Sequence, residues 1–208
     1  MFRTTLKTLA ARKLRLFTTS FAVLLGVAFM AGTLVLTDTI GKTFDKLFAD
    51  ANKGTDAYVR AEVAFDSEWF GDQRPRIDST LVDEINQVDG VSAAEGTIEA
   101  YAHLVDKAGK PIGNPNIGAP VLGATWLSND DLNPFDLTTG RAPQSDNEVV
   151  IDKGSAGSGH FVVGDSTTVL TQSGPQAVTI VGIAKYGDTD SPGGASFTMF
   201  TPTAAETT

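Results

Sequence analysis

Gly41-Lys42-Thr43 has the ending of a phosphate-binding loop, in which backbone amides and a lysine hold the phosphates of a nucleotide. The pattern also needs a glycine at the position that Leu36 occupies, so nucleotide chemistry is not expected there. Gly154-Ser155-Ala156-Gly157-Ser158-Gly159-His160 is rich in serine and glycine, yet it matches neither a nucleophile elbow nor a dinucleotide loop. A turn or the start of a short helix is the expected structure. His103 and His160 are the only two histidines, and neither sits at a metal-ligand spacing. Asn129, Asp130 and Asp131, and separately Asp188 and Asp190, offer oxygens of the kind calcium takes. The second run, however, places Pro192 and Met199 where a calcium loop wants an oxygen ligand and the closing glutamate. Solvated loops are expected at both. Trp69 and Phe70, between Glu68 and Asp72, read as a small core plug or as an exposed contact. No nucleophile, base and orienting group converge in this pattern, so no catalytic residue, metal or cofactor is expected and the chain does not read as an enzyme.

The elements that would carry such groups begin with an apolar run. Leu16 to Leu36 holds 21 residues without a charge, and at about 1.5 Å per residue it is roughly as long as the 30 Å hydrocarbon core of a bilayer. Eleven of these residues are Leu, Phe or Val, a gross insertion gain of roughly 3 to 7 kcal/mol before Thr18, Thr19, Ser20 and Thr33 are set against it. Arg3, Lys7, Arg12, Lys13 and Arg15 all precede the run and Asp38 follows it. The positive-inside bias therefore predicts residues 1–15 in the cytoplasm, a membrane helix over 16–37, and everything later outside. A cleaved signal peptide, with Gly26-Val27-Ala28 or Ala31-Gly32-Thr33 as the cut, is the alternative; the run is longer than a usual signal core. Ile40, Phe44, Leu47 and Phe48 continue a helical stripe beyond the membrane, predicting a stalk over 38–53 that stops near Asn52-Lys53-Gly54. Ala22 with Gly26, and Ala28 with Gly32, are small pairs four apart that would let another membrane helix approach. Phe2, Leu6, Leu9 and Leu16 among the leader's cations suit an amphipathic helix on the inner lipid surface, or serve only as the topology signal.

The remainder carries 11 basic and 25 acidic side chains, a balance that repels nucleic acid and anionic lipid. The chain has no cysteine, and the outer part is long enough to bury a core without disulfides. Asp56 to Val63 alternates and predicts a strand; Leu81, Val82, Ile85 and Val88 predict a helix capped by Asp78 or Thr80 and ended by Gly90. Strand material runs from Val91 to Val105, followed by a turn at Lys107 to Lys110. Residues 111–186 read as a β-rich insertion with strands at Glu148 to Asp152, Ser166 to Thr171 and Gln176 to Ile183. A mobile loop is expected at Asp188 to Gly194, and a strand over Ala195 to Thr201 that rejoins the first unit. Thr203-Ala204-Ala205-Glu206 has the form of a capping box, so the chain is expected to stop just inside a helix.

Two stretches carry a resemblance. The run from Arg12 to Phe48 resembles the first membrane helix and stalk of FtsX-like ABC transporter permeases. Gly140, Arg141 and Pro143, then Glu148 to Ile151, Val163 to Asp165 and Ile180 to Ile183 are similar, in that order, to the MacB-type periplasmic core domain of those permeases. The resemblance implies a membrane-anchored α+β protein: one transmembrane helix continuing as a stalk, then a mixed α/β extracytoplasmic domain, 54–208, with a β-rich inserted lobe. It further implies a permease subunit of the bacterial plasma membrane, partnered by a separate cytoplasmic ATPase and by a second permease copy or a homologous permease. In that family ATP hydrolysis moves the outer domain, for export or mechanotransmission, and further membrane helices would lie beyond Thr208. A single-pass anchored binding or sensor domain is the alternative function. An anchored hydrolase is the third class, and no site supports it.

Overall fold

The computed structural model describes residues 13–52, 54–63, 74–113 and 119–208. The leader's Phe2, Leu6 and Leu9 and the Trp69-Phe70 pair lie outside the described residues, as do the side chains of Leu47 and Phe48. The chain divides into two compact units, Met1–Phe48 and Ala49–Thr208.

Helix α1 runs over Lys13–Ala51, 39 residues, or about 58 Å at the α-helical rise. No proline interrupts it, and the hydroxyls of Thr18, Thr19, Thr33, Thr39 and Thr43 turn back onto the helix. Thr19 Oγ1 donates to the Arg15 carbonyl at 2.9 Å, Thr33 to Phe29 at 2.9 Å, Thr39 to Val35 at 2.7 Å and Thr43 to Thr39 at 2.8 Å. Such back-bonding satisfies a hydroxyl without solvent.

The second unit is built on one sheet. Its elements are α2 (Leu81–Asn86), β1 (Glu99–Leu104), β2 (Val121–Thr125), β3 (Phe135–Gly140), β4 (Glu148–Asp152), α3 (Lys153–Gly159), β5 (Ser166–Thr171), β6 (Gly174–Tyr186), β7 (Ser196–Phe200) and α4 (Pro202–Glu206). The strand order is β3-β6-β4-β7-β2-β1-β5, and β5 also pairs with β6. Six strands therefore close on themselves, with β3 attached outside the ring. Closure depends on the 13-residue β6. Its first half pairs with β5, its middle with β4, and Gly182 to Tyr186 with β3. The returning strand β7 lies parallel to β2 and antiparallel to β4, both within residues 111–186, so it pairs with the β-rich segment and not with the first unit as expected.

Alternation along the strands sends one set of side chains inward. Leu104, Val149, Ile151, Val169, Ile180 and Phe200 are fully buried in one cluster, to which α3 adds Ala156 and α4 adds Ala204 and Ala205. Gly159 of α3 has a packing reason: a Cβ there would press on Phe161 and on Ile112 at 2.6 Å. A second aromatic group joins β3, β6 and β7, with Phe135 5.3 Å from Tyr186 and 5.2 Å from Phe197 between ring centres.

The structure corrects several expectations. Asp56 to Val63 forms no strand; Tyr58 and Val59 are exposed, and among the described residues no neighbouring strand supplies a ladder. The strand predicted from Val91 begins only at Glu99. Helix α2 ends at Asn86 instead of running to Val88; there the Asn86 side chain bonds the Val82 carbonyl at 2.9 Å and exchanges hydrogen bonds with the Ala94 backbone, at 3.0 and 2.8 Å. Helix α4 starts earlier than its capping box. Thr201, not Thr203, is the N-cap, its hydroxyl accepting from Ala204 N at 3.2 Å, with Pro202 in the first turn. The loop 188–194 is not free: Asp190 meets Lys153 and Ser191 bonds to Asp152. The Lys107 to Lys110 turn is present as expected, with Asp106 Oδ1 accepting from Ala108 N and Lys110 N.

Candidate functional site

Helix α1 is the feature most unlike a soluble domain. Among the described residues it is the one helix long and apolar enough to cross a membrane, with a mean hydropathy of 2.1 over the apolar window of Lys13–Lys46. Its own unit covers none of it: Phe17, Val23, Phe29 and Leu34 are each more than half exposed. Side chains this apolar, exposed around the whole circumference, call for a nonaqueous surrounding.

The residues expected to pack against other helices all lie on α1. A Cβ at Gly26 or Gly32 would meet nothing within 4 Å, so no packing inside this chain explains either glycine. At about 100° per residue, Ala22 with Gly26 and Ala28 with Gly32 face different sides of the helix. Ile40 falls on the Ala22 side, five turns further on. Ile40 and Phe44 are about half exposed. A shallow groove lined by Ser20, Val23, Leu24, Val27, Ala28 and Ala31 marks the side that includes Ala28. Lys42 and Asp38 pair one turn apart at 2.8 Å at the polar end of the apolar window.

In the β unit the candidate chemical groups are occupied by structural work. Asp152 caps α3 through Ser155 N, and its carboxylate is fully buried. His160 closes the same helix in the left-handed region, at φ 52°. His103 is buried on β1, its Nδ1 3.1 Å from the Tyr101 hydroxyl, and its Nε2 has no partner. Asn129 Oδ1 accepts from Asp131 N, while the Glu95 carboxylate takes Ser128 N, Ser128 Oγ and Asn129 N. Among the described residues no group of three or more His, Cys, Asp or Glu is placed to hold a metal ion.

The motif residues from Gly140 to Ile183 meet along the middle of β6. Gly140 has φ 84°, and a Cβ there would overlap the Val181 carbonyl. Arg141 N then donates to that same carbonyl at 3.0 Å. The Arg141 guanidinium folds back in a two-pronged pair onto Glu148, at 2.7 and 2.6 Å, and Gln144 N adds a third bond at 2.8 Å. The guanidinium, then the Gln144 amide, hold the Glu148 carboxyl down at about 2. Glu148 in turn raises Arg141. A second clamp closes the Val163-Gly164-Asp165 turn, where Gly164 N donates to the Ile180 carbonyl at 2.8 Å and Ile180 N to the Asp165 carbonyl at 2.9 Å. Lys107 lies 2.7 Å from the Asp165 carboxylate and, with the Val162 amide, lowers its pKa.

A family model for the MacB-like periplasmic core domain matches residues 16–208. The chain belongs to that family. The match starts at Leu16, inside α1, so the MacB-like unit takes in the apolar helix as well as the closed sheet. The family is a component of ABC transporter permeases and not a class of enzyme. A search of curated proteins finds no match. Among solved structures, the periplasmic region of MacB from Actinobacillus actinomycetemcomitans is similar at 12% identity and a TM-score of 0.42, covering 64% of this chain. The chain spans 59% of the length of that structure. Within the MacB-like domain the motif residues bind β3, β4 and β5 to β6.

Proposed function

We propose that this chain is the N-terminal part of an ABC transporter permease subunit, with α1 crossing the plasma membrane, residues 1–15 in the cytoplasm and the MacB-like domain outside. A separate cytoplasmic ATPase, acting on a pair of permease subunits, drives movement of the outer domain for export or mechanotransmission. The family match over 16–208 carries this reading. The helix supports it, because a hydrogen-bonded rod transmits displacement that a loop absorbs. Ile40, Phe44, Leu47 and Phe48 form the stalk face in this proposal. Ala22, Gly26, Ala28 and Gly32 are contacts for neighbouring membrane helices, where small side chains allow close backbone approach.

The test is a break in the rod. Glycine costs a helix interior about 1 kcal/mol per position, so K42G/T43G weakens the stretch from Gly41 to Asp45 while leaving both flanking segments intact. In the full-length permease with its ATPase, ATP hydrolysis should persist while outer-domain motion is lost. Unchanged coupling overturns the rod.

A further inference from the structure

Asp89 is the one aspartate followed by glycine, and no asparagine is followed by one. The pair forms the centre of a turn just after α2. Val91 N donates to the Val88 carbonyl at 3.1 Å, and Gly90 has φ 92° while Asp89 lies outside the positive region, which is the pattern of a type II turn. The amide between the two central residues takes no part in closing such a turn, and Gly90 N has no acceptor among the described residues. Nothing lies within 4 Å of a Cβ at Gly90, and residues 86–92 are all exposed.

The Asp89 carboxylate is as open as that amide: among the described residues it makes no hydrogen bond and no ion pair. Aspartates in neighbouring turns are held instead. Asp106 Oδ1 accepts from Ala108 N and Lys110 N at 2.9 and 2.8 Å, and Asp165 Oδ2 takes Val162 N at 2.9 Å and Lys107 at 2.7 Å. The turn also sits inside a clasp, because the Asn86 side chain exchanges bonds with the Ala94 backbone at 3.0 and 2.8 Å. From Asp89 to Ala93 the one backbone donor in use is Val91 N. Bringing Gly90 N onto the Asp89 carboxyl carbon therefore costs a single exposed hydrogen bond, a local opening that leaves the sheet intact.

We propose that Asp89-Gly90 is a site of spontaneous backbone rearrangement, which converts Asp89 to its β-linked isomer and loosens the clasp between α2 and residues 91–98. Gly90 N attacks Cγ of the protonated Asp89 carboxyl; the N–Cγ bond forms, and the carboxyl hydroxyl leaves with the amide proton as water. Water then opens the five-membered imide at either carbonyl. One opening restores aspartate, and the other leaves the main chain running through Cβ and Cγ, with the old main-chain carbonyl released as a carboxylate. The composition is unchanged, but the backbone is one carbon longer inside the turn. Val91 N and the Val88 carbonyl then lose their closing distance, and the Asn86 to Ala94 bonds lose the turn that braces them.

Ageing the full chain in lipid discs, in warm neutral buffer, tests this. Peptide mapping with electron-transfer fragmentation, which cleaves the Cα–Cβ bond of a β-linkage, should find the isomer accumulating at residue 89 and not at Asp106 or Asp165. D89E keeps the charge and the glycine but would need a six-membered ring, so the product should be lost; G90A, whose methyl shields the amide, should slow it. D89N reaches the same imide by releasing ammonia and should accumulate the β-linked product faster than wild type. In the aged fraction, separated by ion exchange, hydrogen exchange should quicken at the Ala94 amide, by about tenfold for one lost hydrogen bond, and stay unchanged at Ile180, which is bonded within the sheet. No β-linked residue at 89, or equal amounts at Asp106 and Asp165, overturns the site. Equal Ala94 exchange in aged and fresh chains overturns the loosening.

Discussion

Glu148 is the residue whose charge the fold holds most firmly. Its pKa drops from 4.5 to about 2 beside Arg141, so folding is favoured by the ionised form and the gain is complete above the unfolded value. As pH falls from about 4.5 toward 2 the native carboxylate must be protonated and the gain is lost. E148Q should therefore unfold at lower urea than wild type at neutral pH, and the two midpoints should converge over that acid window. A midpoint difference that persists at the acid end would show that packing, not charge, sets the effect. The glycines divide by surroundings. Gly140 and Gly109 have nearly equal φ, 84° and 83°, yet only Gly140 sits against the Val181 carbonyl, and nothing lies within 4 Å of a Cβ at Gly109. G109A should cost about 1 kcal/mol and G140A roughly 2 to 3 kcal/mol, measured by chemical denaturation; equal costs would mean that backbone conformation alone decides. The Gly-Arg-x-Pro and Glu-Val-Val-Ile pieces were visible in the sequence as a recurring order. Their physical reason, a clamp across β6, was not, because the pairing of Arg141 with Glu148 depends on a register that only the sheet supplies.

At the scale of elements, β4, β5, β6 and β7 were legible because β-branched runs alternate between glycine and aspartate turns and end up buried on one face. Strand β3 was not. Phe135-Asp136-Leu137-Thr138-Thr139-Gly140 reads as a loop, and all but Phe135 are exposed; the strand exists because β6 offers it an edge. The reverse error, at Asp56 to Val63, has the same cause: alternation is present, but among the described residues no partner strand is. Helix α3 lies where the glycine- and serine-rich run is expected to form a turn or the start of a short helix. The readable signal was Asp152 three residues before Ser155, an N-cap directly after an apolar strand. The start of α4 separates two caps by experiment. T201A should cost about 1 kcal/mol, since Thr201 Oγ1 also bonds Asp146 at 2.9 Å; T203A should cost a few tenths at most. The reverse ranking in thermal unfolding would restore the capping box at Thr203.

For the whole molecule, the natural absence of cysteine makes the proposed topology directly testable. A single cysteine at Thr5 should react with a membrane-impermeant maleimide only after the bilayer is opened, whereas one at Lys110, which is exposed on the β unit, should react in intact cells. Labelling at both positions in intact cells would reverse or remove the crossing. The order of the strands in space carries a consequence for how such a chain is made. β7, the last strand in the sequence, is wedged between β2 and β4, so until residue 200 has emerged both of those strands present bare edges to the surroundings. Synthesis proceeds at about 5 to 20 residues per second. For several seconds the nascent polypeptide is therefore an open template for mispairing with its neighbours, and a holding chaperone at the site of export would have its greatest effect on yield in that interval.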